Sequence, residues 1–198
     1  MPFDYALMAL VEFHDPGLVL FPTHRVLSGW LGFDKTKALS SLKTFFKVEA
    51  LSLQHLTETL KRTPKEKMIF GLLLGEEQFL LTLENFEQAK QKMPAGKPDI
   101  WYSLDVSLLS HFILSSVWNL PESLWESVIQ YTHSTEEAIR CVQTRKAEAA
   151  FLLRAPQVEI LREMGKVNQL MPQKSTYFYP KLASGLVFYH HNDESVKS

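Results

Sequence analysis

Short apolar runs alternate with polar turns along the chain. Tyr5–Phe13 is apolar on both faces and predicts a buried strand. Asp15-Pro16-Gly17 predicts a turn, since Pro presets φ and Gly allows positive φ. Leu18–Phe21 is a second apolar run, expected to pair with the first as a hairpin and to stop at Pro22. Lys35–Phe45 reads as a helix with Asp34 as N-cap, followed by a strand at Phe46–Leu51. Ser52 caps an amphipathic helix with Leu53, Leu56 and Leu60 on one face, closed by Pro64. Met68–Leu74 and Phe79–Leu83 predict a hairpin across Gly75-Glu76-Glu77. Lys90–Asp99, broken by Lys92, Pro94, Lys97 and Pro98, reads as an exposed connector. Beyond it, Val106, Leu109, Ile113 and Val117 form the buried stripe of a long helix from Leu104 to about Trp118.

The last third is more regular. Ser127–Thr132 and Ala149–Leu153 read as strands. Between them Ser134 and Glu137 form a capping box for a helix running to about Arg145. Pro156 opens another helix that Gly165 is expected to end, and Gly185–Tyr189 reads as a final strand. This β-α-β-α-β order favours parallel pairing and an α/β fold, a layered sheet with flanking helices, with mixed α+β as the alternative. The expected organisation is a single domain over 1–191, with a subdivision point near 92–103 and a frayed polar tail over 192–198.

Composition narrows the class of protein. The 198 residues are 45% hydrophobic and 22% charged, ordinary for a globular chain, so disorder of the whole is excluded. A net charge of −1 gives no basic field for nucleic acid, so no nucleic-acid partner is expected. The basic stretch Lys61–Lys67 reads as a solvated turn. The single Cys141 excludes an internal disulfide and a Cys-based zinc cage, and the reducing cytoplasm is the expected compartment. The N-terminus has no basic region of the kind that opens a signal peptide. No apolar run approaches the roughly 20 residues of a membrane span.

Two segments concentrate chemistry. In Phe21-Pro22-Thr23-His24-Arg25, a hydroxyl, an imidazole and a guanidinium follow a strand end. Arg25 has the fork that holds phosphate or carboxylate, and His24 is an acid/base candidate near neutral pH. The simpler reading is a polar loop whose Arg pairs with a carboxylate. In Met171–Lys181, Gln173, Lys174, Ser175, Thr176, Tyr177 and Lys181 offer cations, hydroxyls, an amide and a ring, and the glycines of a Walker loop are missing. A site and a packed irregular loop are balanced readings there. Asp105 reads as a helix N-cap, and His111 as a satisfied boundary histidine. Cys141 reads as a structural thiol, and no helical metal-ligand spacing is present.

Asp15–Arg25, then Leu104-Asp105-Val106-Ser107, then Met171–Lys181 continuing into Ser184-Gly185-Leu186-Val187, resemble the domain of unknown function 1015 family in order and spacing. Typical members of that family are about twice as long. Their N-terminal half resembles the ParB-like fold and carries an Asp-Gly-His-His-Arg element just before the strand matching Tyr5–Phe13. That element is not in this sequence, which therefore resembles the C-terminal half. Two departures stand out: Ser110 where members commonly carry His, and Thr144-Arg145-Lys146 where they commonly carry Gly.

ParB-like relatives include free-serine kinases and nucleotide-hydrolysing partition proteins. The resemblance therefore implies a phosphate-binding site for phosphoryl transfer to a small metabolite such as serine, shared with an N-terminal half. Arg25, Lys174 and Lys181 would hold phosphate oxygens, and His24 and Asp105 would be the catalytic candidates; the cofactor is left open, with magnesium plausible and Asp105 the one candidate to hold it. The alternative is a non-catalytic remnant or regulatory, protein-binding domain. A chain parted from its other half would expose an apolar face, so a complex with that half or a homodimer is expected.

Overall fold

The computed structural model describes residues 8–186. In chain order the elements are β1 (Val19–Phe21), β2 (His24–Leu27), α1 (Lys35–Leu42), β3 (Phe46–Ala50) and α2 (Leu53–Arg62). Next come β4 (Ile69–Leu74), β5 (Glu77–Leu83), α3 (Phe86–Gln91), α4 (Asp99–Tyr102) and α5 (Asp105–Ser107). The last of these continues as a π-helical segment over Leu108–Val117. A 3₁₀ turn (Glu122–Leu124) leads into α6 (Trp125–Val128), β6 (Ile129–Thr132), α7 (Thr135–Gln143), β7 (Ala149–Leu152), α8 (Val158–Lys166) and β8 (Tyr177–Tyr179). Contacts divide the chain into two units, Leu20–Tyr177 and the segments on either side of it.

Leu20–Tyr177 holds a six-stranded sheet of order β3-β5-β4-β7-β2-β6. Its fold is mixed α+β, a layered sheet with helices on both faces. Every pairing is antiparallel, which differs from the parallel pairing that the β-α-β-α-β order suggested. The reason is β2. It lies between β6 and β7 and runs against both, so the crossover through α7 joins two strands of like direction that do not touch.

Burial alternates along β4. Phe70, Leu72 and Leu74 enter one core with Leu27, Phe151 and the π-helical residues Leu108, Leu109, Phe112 and Ile113. Ile69 and Leu73 enter the other, with Val26, Ala150, Leu56 and Leu60 of α2, and Ala138 and Val142 of α7. Because both faces are covered, β4 is apolar throughout rather than alternating. Gly71 allows α2 to approach: a Cβ there would lie 3.0 Å from both Leu152 Cβ and Leu60 Cδ1.

Most predicted caps are present. Asp34 Oδ1 accepts from Thr36 and Lys37 N–H at 2.9 and 3.0 Å, and Ser134 Oγ accepts from Glu137 N–H at 3.1 Å. The return half of the capping box is relayed. Ser134 N–H donates to Thr132 Oγ1, whose hydroxyl donates to the Glu137 carboxylate. The long helix is buried nearly all round, and its i→i+5 character shows where Trp118 N–H reaches Ile113 O at 2.9 Å.

Several boundaries differ from expectation. Residues 8–13 form no strand, and Tyr5 to Leu7 lie outside the described residues. β1 pairs instead with β8, which lies inside the segment read as an irregular connector. Lys35–Phe45 is helical only to Leu42, and α8 passes through Gly165 to Lys166. Ser127 belongs to α6, so the following strand starts at Ile129. Gly185 and Leu186 are turn and bend, and the rest of the predicted final strand lies outside the described residues. The largest difference is β2, a fully buried strand where the sequence read a polar loop.

Candidate functional site

β2 separates its two polar residues. Neighbours on a strand face opposite ways, so His24 and Arg25 serve different layers. His24 Nδ1 accepts from Leu153 N–H at 3.1 Å, and its Nε2 lies 3.0 Å from Thr135 Oγ1 at the start of α7. Nε2 therefore carries the proton and donates to the threonine. Burial above all, then the Arg25 charge, pulls the imidazole down to about 4, so it is neutral at pH 7.

Arg25 is 2% exposed. Its guanidinium donates to Thr23 O and, at 3.1 Å, to Lys174 O, and it lies 5.1 Å from the Tyr131 ring centroid. Among the described residues it has no carboxylate partner, and burial lowers it to about 10. Its hydrogen bond fastens the 171–175 segment at Lys174, whose φ of 55° is left-handed. Arg25 is thus a clamp across the chain rather than an exposed anion hook.

Next to this segment, with Met171 and Ser175 on its wall, opens a cavity of about 290 Å³. Met68, Leu104, Val106, Leu153, Ile160 and Met171 line its apolar part. Its polar part carries Thr23, Lys65, Asp105, Arg154 and Ser175. Arg154 grips Asp105 with two parallel bonds, Nη2 to Oδ1 at 2.9 Å and Nε to Oδ2 at 3.1 Å. Its Nη1 donates to Pro64 O at 3.0 Å. Asp105 is therefore a charge partner and makes no side-chain cap. Lys65 donates to Ala155 O. Burial and the neighbouring Arg154 charge lower its pKa, against a smaller upward pull from Asp105. Thr23 Oγ1 is buried with no hydrogen-bond partner among the described residues.

Of the residues singled out from sequence, Thr23, Asp105 and Ser175 come together here. Ser175 Oγ donates to Pro172 O, closing the segment on itself. Gln173 lines a different cavity. Lys174 is exposed and contributes its carbonyl, and Thr176 is half-buried. Tyr177 stacks on His133 with ring centroids 4.4 Å apart, and Lys181 is exposed in the other unit. Lys65 and Arg154 were missed. Lys65 sits in the basic stretch read as a solvated turn, and Arg154 is a lone charge at the end of the apolar run Ala149–Leu153.

A magnesium ion does not fit this constellation. Of the two carboxylates on the cavity wall, Glu66 is exposed, and both oxygens of the half-buried Asp105 are taken by Arg154. Among the described residues no group of three or more His, Cys, Asp or Glu is placed to hold a metal. Among them, too, no helix is long and apolar enough to cross a membrane.

A family model described as "Protein of unknown function (DUF1015)" matches residues 1–107. No curated protein matches. Similar solved structures include a conserved hypothetical protein from Pyrococcus furiosus, at 18% identity and a TM-score of 0.49, covering 86% of this chain and 60% of that one. Free serine kinase in complex with AMP matches at 18% identity and a TM-score of 0.47, covering 86% and 57%. A variant of free serine kinase in complex with ADP matches at 17% identity and a TM-score of 0.49, with the same coverage of 86% and 57%. The chain thus spans between 57% and 60% of the length of these structures.

Proposed function

The chain belongs to the domain of unknown function 1015 family, and we propose that its Lys65–Arg154 cavity binds a small anionic metabolite, a phosphate monoester above all. The observation that carries this reading is the half-buried Lys65, which has no carboxylate partner among the described residues. Arg154 is neutralised by Asp105 through both oxygens. Lys65 is left with a neutral carbonyl, while the charge of Arg154 works against its protonation. Glu66, also on the wall, is exposed. An anion seated beside Lys65 gives its charge a partner, and the Thr23 hydroxyl supplies a donor to its oxygens. The apolar wall suits a ligand with a short carbon body.

The same set suits phosphoryl transfer, where placed cations matter more than a covalent nucleophile. Neither Asp105, committed to Arg154, nor the His24 ring, on the other face of β2, is its proton acceptor. We therefore assign to this chain the binding and charge neutralisation of the phosphorylated ligand. Catalysis, where it occurs, draws on further residues.

A thermal-shift panel tests the reading, with phosphoserine, pyrophosphate and ADP set against serine. Ligand at about 100-fold its Kd adds about 2.7 kcal/mol, or roughly 5–10 °C for a chain of this size. The expected result is a rise with a phosphorylated compound that Lys65→Met abolishes and serine does not produce. Equal curves for all compounds, or a rise unchanged in Lys65→Met, would refute it.

A further inference from the structure

A second cavity, of about 520 Å³ and lined in part by Met171, Pro172 and Gln173, is within the size range of small-molecule sites. Its walls are aromatic. The His111 ring sits between Trp101, with centroids 5.1 Å apart, and Trp125, with centroids 5.5 Å apart. Tyr131 closes another side, and Gln173 lines the rim. Glu122 Oε1 lies 3.3 Å from His111 Nδ1, near enough to attract it but not aligned as a hydrogen bond. Trp125 Nε1 is buried without a hydrogen-bond partner among the described residues. A buried donor left unpaired is a cost that a bound acceptor removes.

We infer that this cavity is a second ligand site, for a planar aromatic heterocycle that carries a hydrogen-bond acceptor and no positive charge. Planarity follows from the walls, where the mutually tilted rings of Trp101, His111 and Trp125 and the Tyr131 ring offer flat faces to a flat guest. The acceptor follows from the unpaired indole N–H. The charge follows from cations already on the rings. Lys97 Nζ lies 5.7 Å from the Trp101 centroid, and the Arg25 guanidinium lies over Tyr131. Lys97 on the wall and Arg25 against the Tyr131 ring already occupy the aromatic faces with positive charge, and one exposed carboxylate, Glu122, stands against them, so a cationic guest is disfavoured where an aromatic cage would normally welcome it. This inference does not depend on the anion site, because the two cavities have Met171 as their one common lining residue.

The indole N–H resonances of the four tryptophans report on this directly. The ¹⁵N-labelled chain is titrated with nicotinamide, a neutral planar probe, and separately with benzylamine and cyclohexanecarboxamide. Nicotinamide is expected to shift one indole peak, the one missing in Trp125→Phe. That variant should bind it about fivefold more weakly, the loss of one neutral hydrogen bond. Benzylamine and cyclohexanecarboxamide should bind at least about tenfold more weakly than nicotinamide, and Lys65→Met should change nothing. The inference is overturned if no indole peak moves, if the peak that moves survives in Trp125→Phe, or if benzylamine binds as well as nicotinamide. If Trp125→Phe does not fold, nuclear Overhauser contacts between nicotinamide and the Trp125 indole of the natural chain take its place. Their absence overturns the inference equally.

Discussion

His24 makes the stability of this chain depend on pH in a way that can be worked out in advance. Its imidazole is 2% exposed, accepts the Leu153 N–H through Nδ1, and is held neutral down to about pH 4. In the unfolded chain it protonates near 6.5. The folded pKa is the lower one, so the unfolded state takes up the proton first. The contribution is therefore complete above about pH 6.5 and drains away as pH falls toward 4. The 6.5-to-4 gap corresponds to about 3 kcal/mol in full. Between about pH 7.5 and about pH 5.5 the loss is about 1.3 kcal/mol. Burial is the main cause, with the charges of Arg25 and His133 acting in the same direction and Glu136 opposing. His111, also lowered by burial, adds a loss of the same sign, so a variant is needed to isolate His24. His24→Asn keeps an acceptor for Leu153 N–H and cannot titrate. In urea unfolding at the two pH values, the stability difference between natural chain and variant should shrink by about 1.3 kcal/mol at the lower pH. Parallel pH dependence of the two proteins would refute the assignment of a neutral, buried His24.

Three further outcomes follow from the packing. Arg154→Met strands Asp105 and the Pro64 carbonyl, and should destabilise by about 3 kcal/mol. A double-mutant cycle with Asp105→Asn should give a coupling of about 2 kcal/mol, and a value below about 0.5 would show that the pair is not joined in solution. Gly71→Ala forces a methyl to 3.0 Å from Leu152 and Leu60, and should cost about 1–3 kcal/mol in urea unfolding. Trp118→Phe removes the indole bond to Ala38 O, 3.0 Å long and buried, and should lower stability by about 1 kcal/mol or more.

Legibility varied with what each segment packs against. β4 and β5 were plain in the sequence because Ile69–Leu74 and Phe79–Leu83 are apolar where both faces of the sheet are covered. α2 and α7 were plain because Ser52 and Ser134 cap amphipathic stretches whose stripes meet one core. β2 was hidden because His24 and Arg25 look like loop residues. Only tertiary partners make them tolerable inside: Leu153 N–H and Thr135 for the histidine, two carbonyls and Tyr131 for the arginine. The antiparallel pairing was hidden for the same reason, since β2 is the strand that separates β6 from β7. The site was half visible. Thr23, Asp105 and Ser175 lie on segments that stood out, but Lys65 and Arg154 stand in separate stretches. Nothing local shows that their charges meet at one cavity.

The central claim is that Lys65, which has no carboxylate partner among the described residues, and Arg154 form an anion site. The most direct test is calorimetric titration of phosphoserine into the natural chain and into Lys65→Met at one fixed ionic strength. The account predicts binding to the natural chain and a loss of about 10- to 100-fold in affinity in the variant, the range for a charged hydrogen bond, with an unchanged urea midpoint. Equal affinity in the two proteins, or no heat with either, would contradict it.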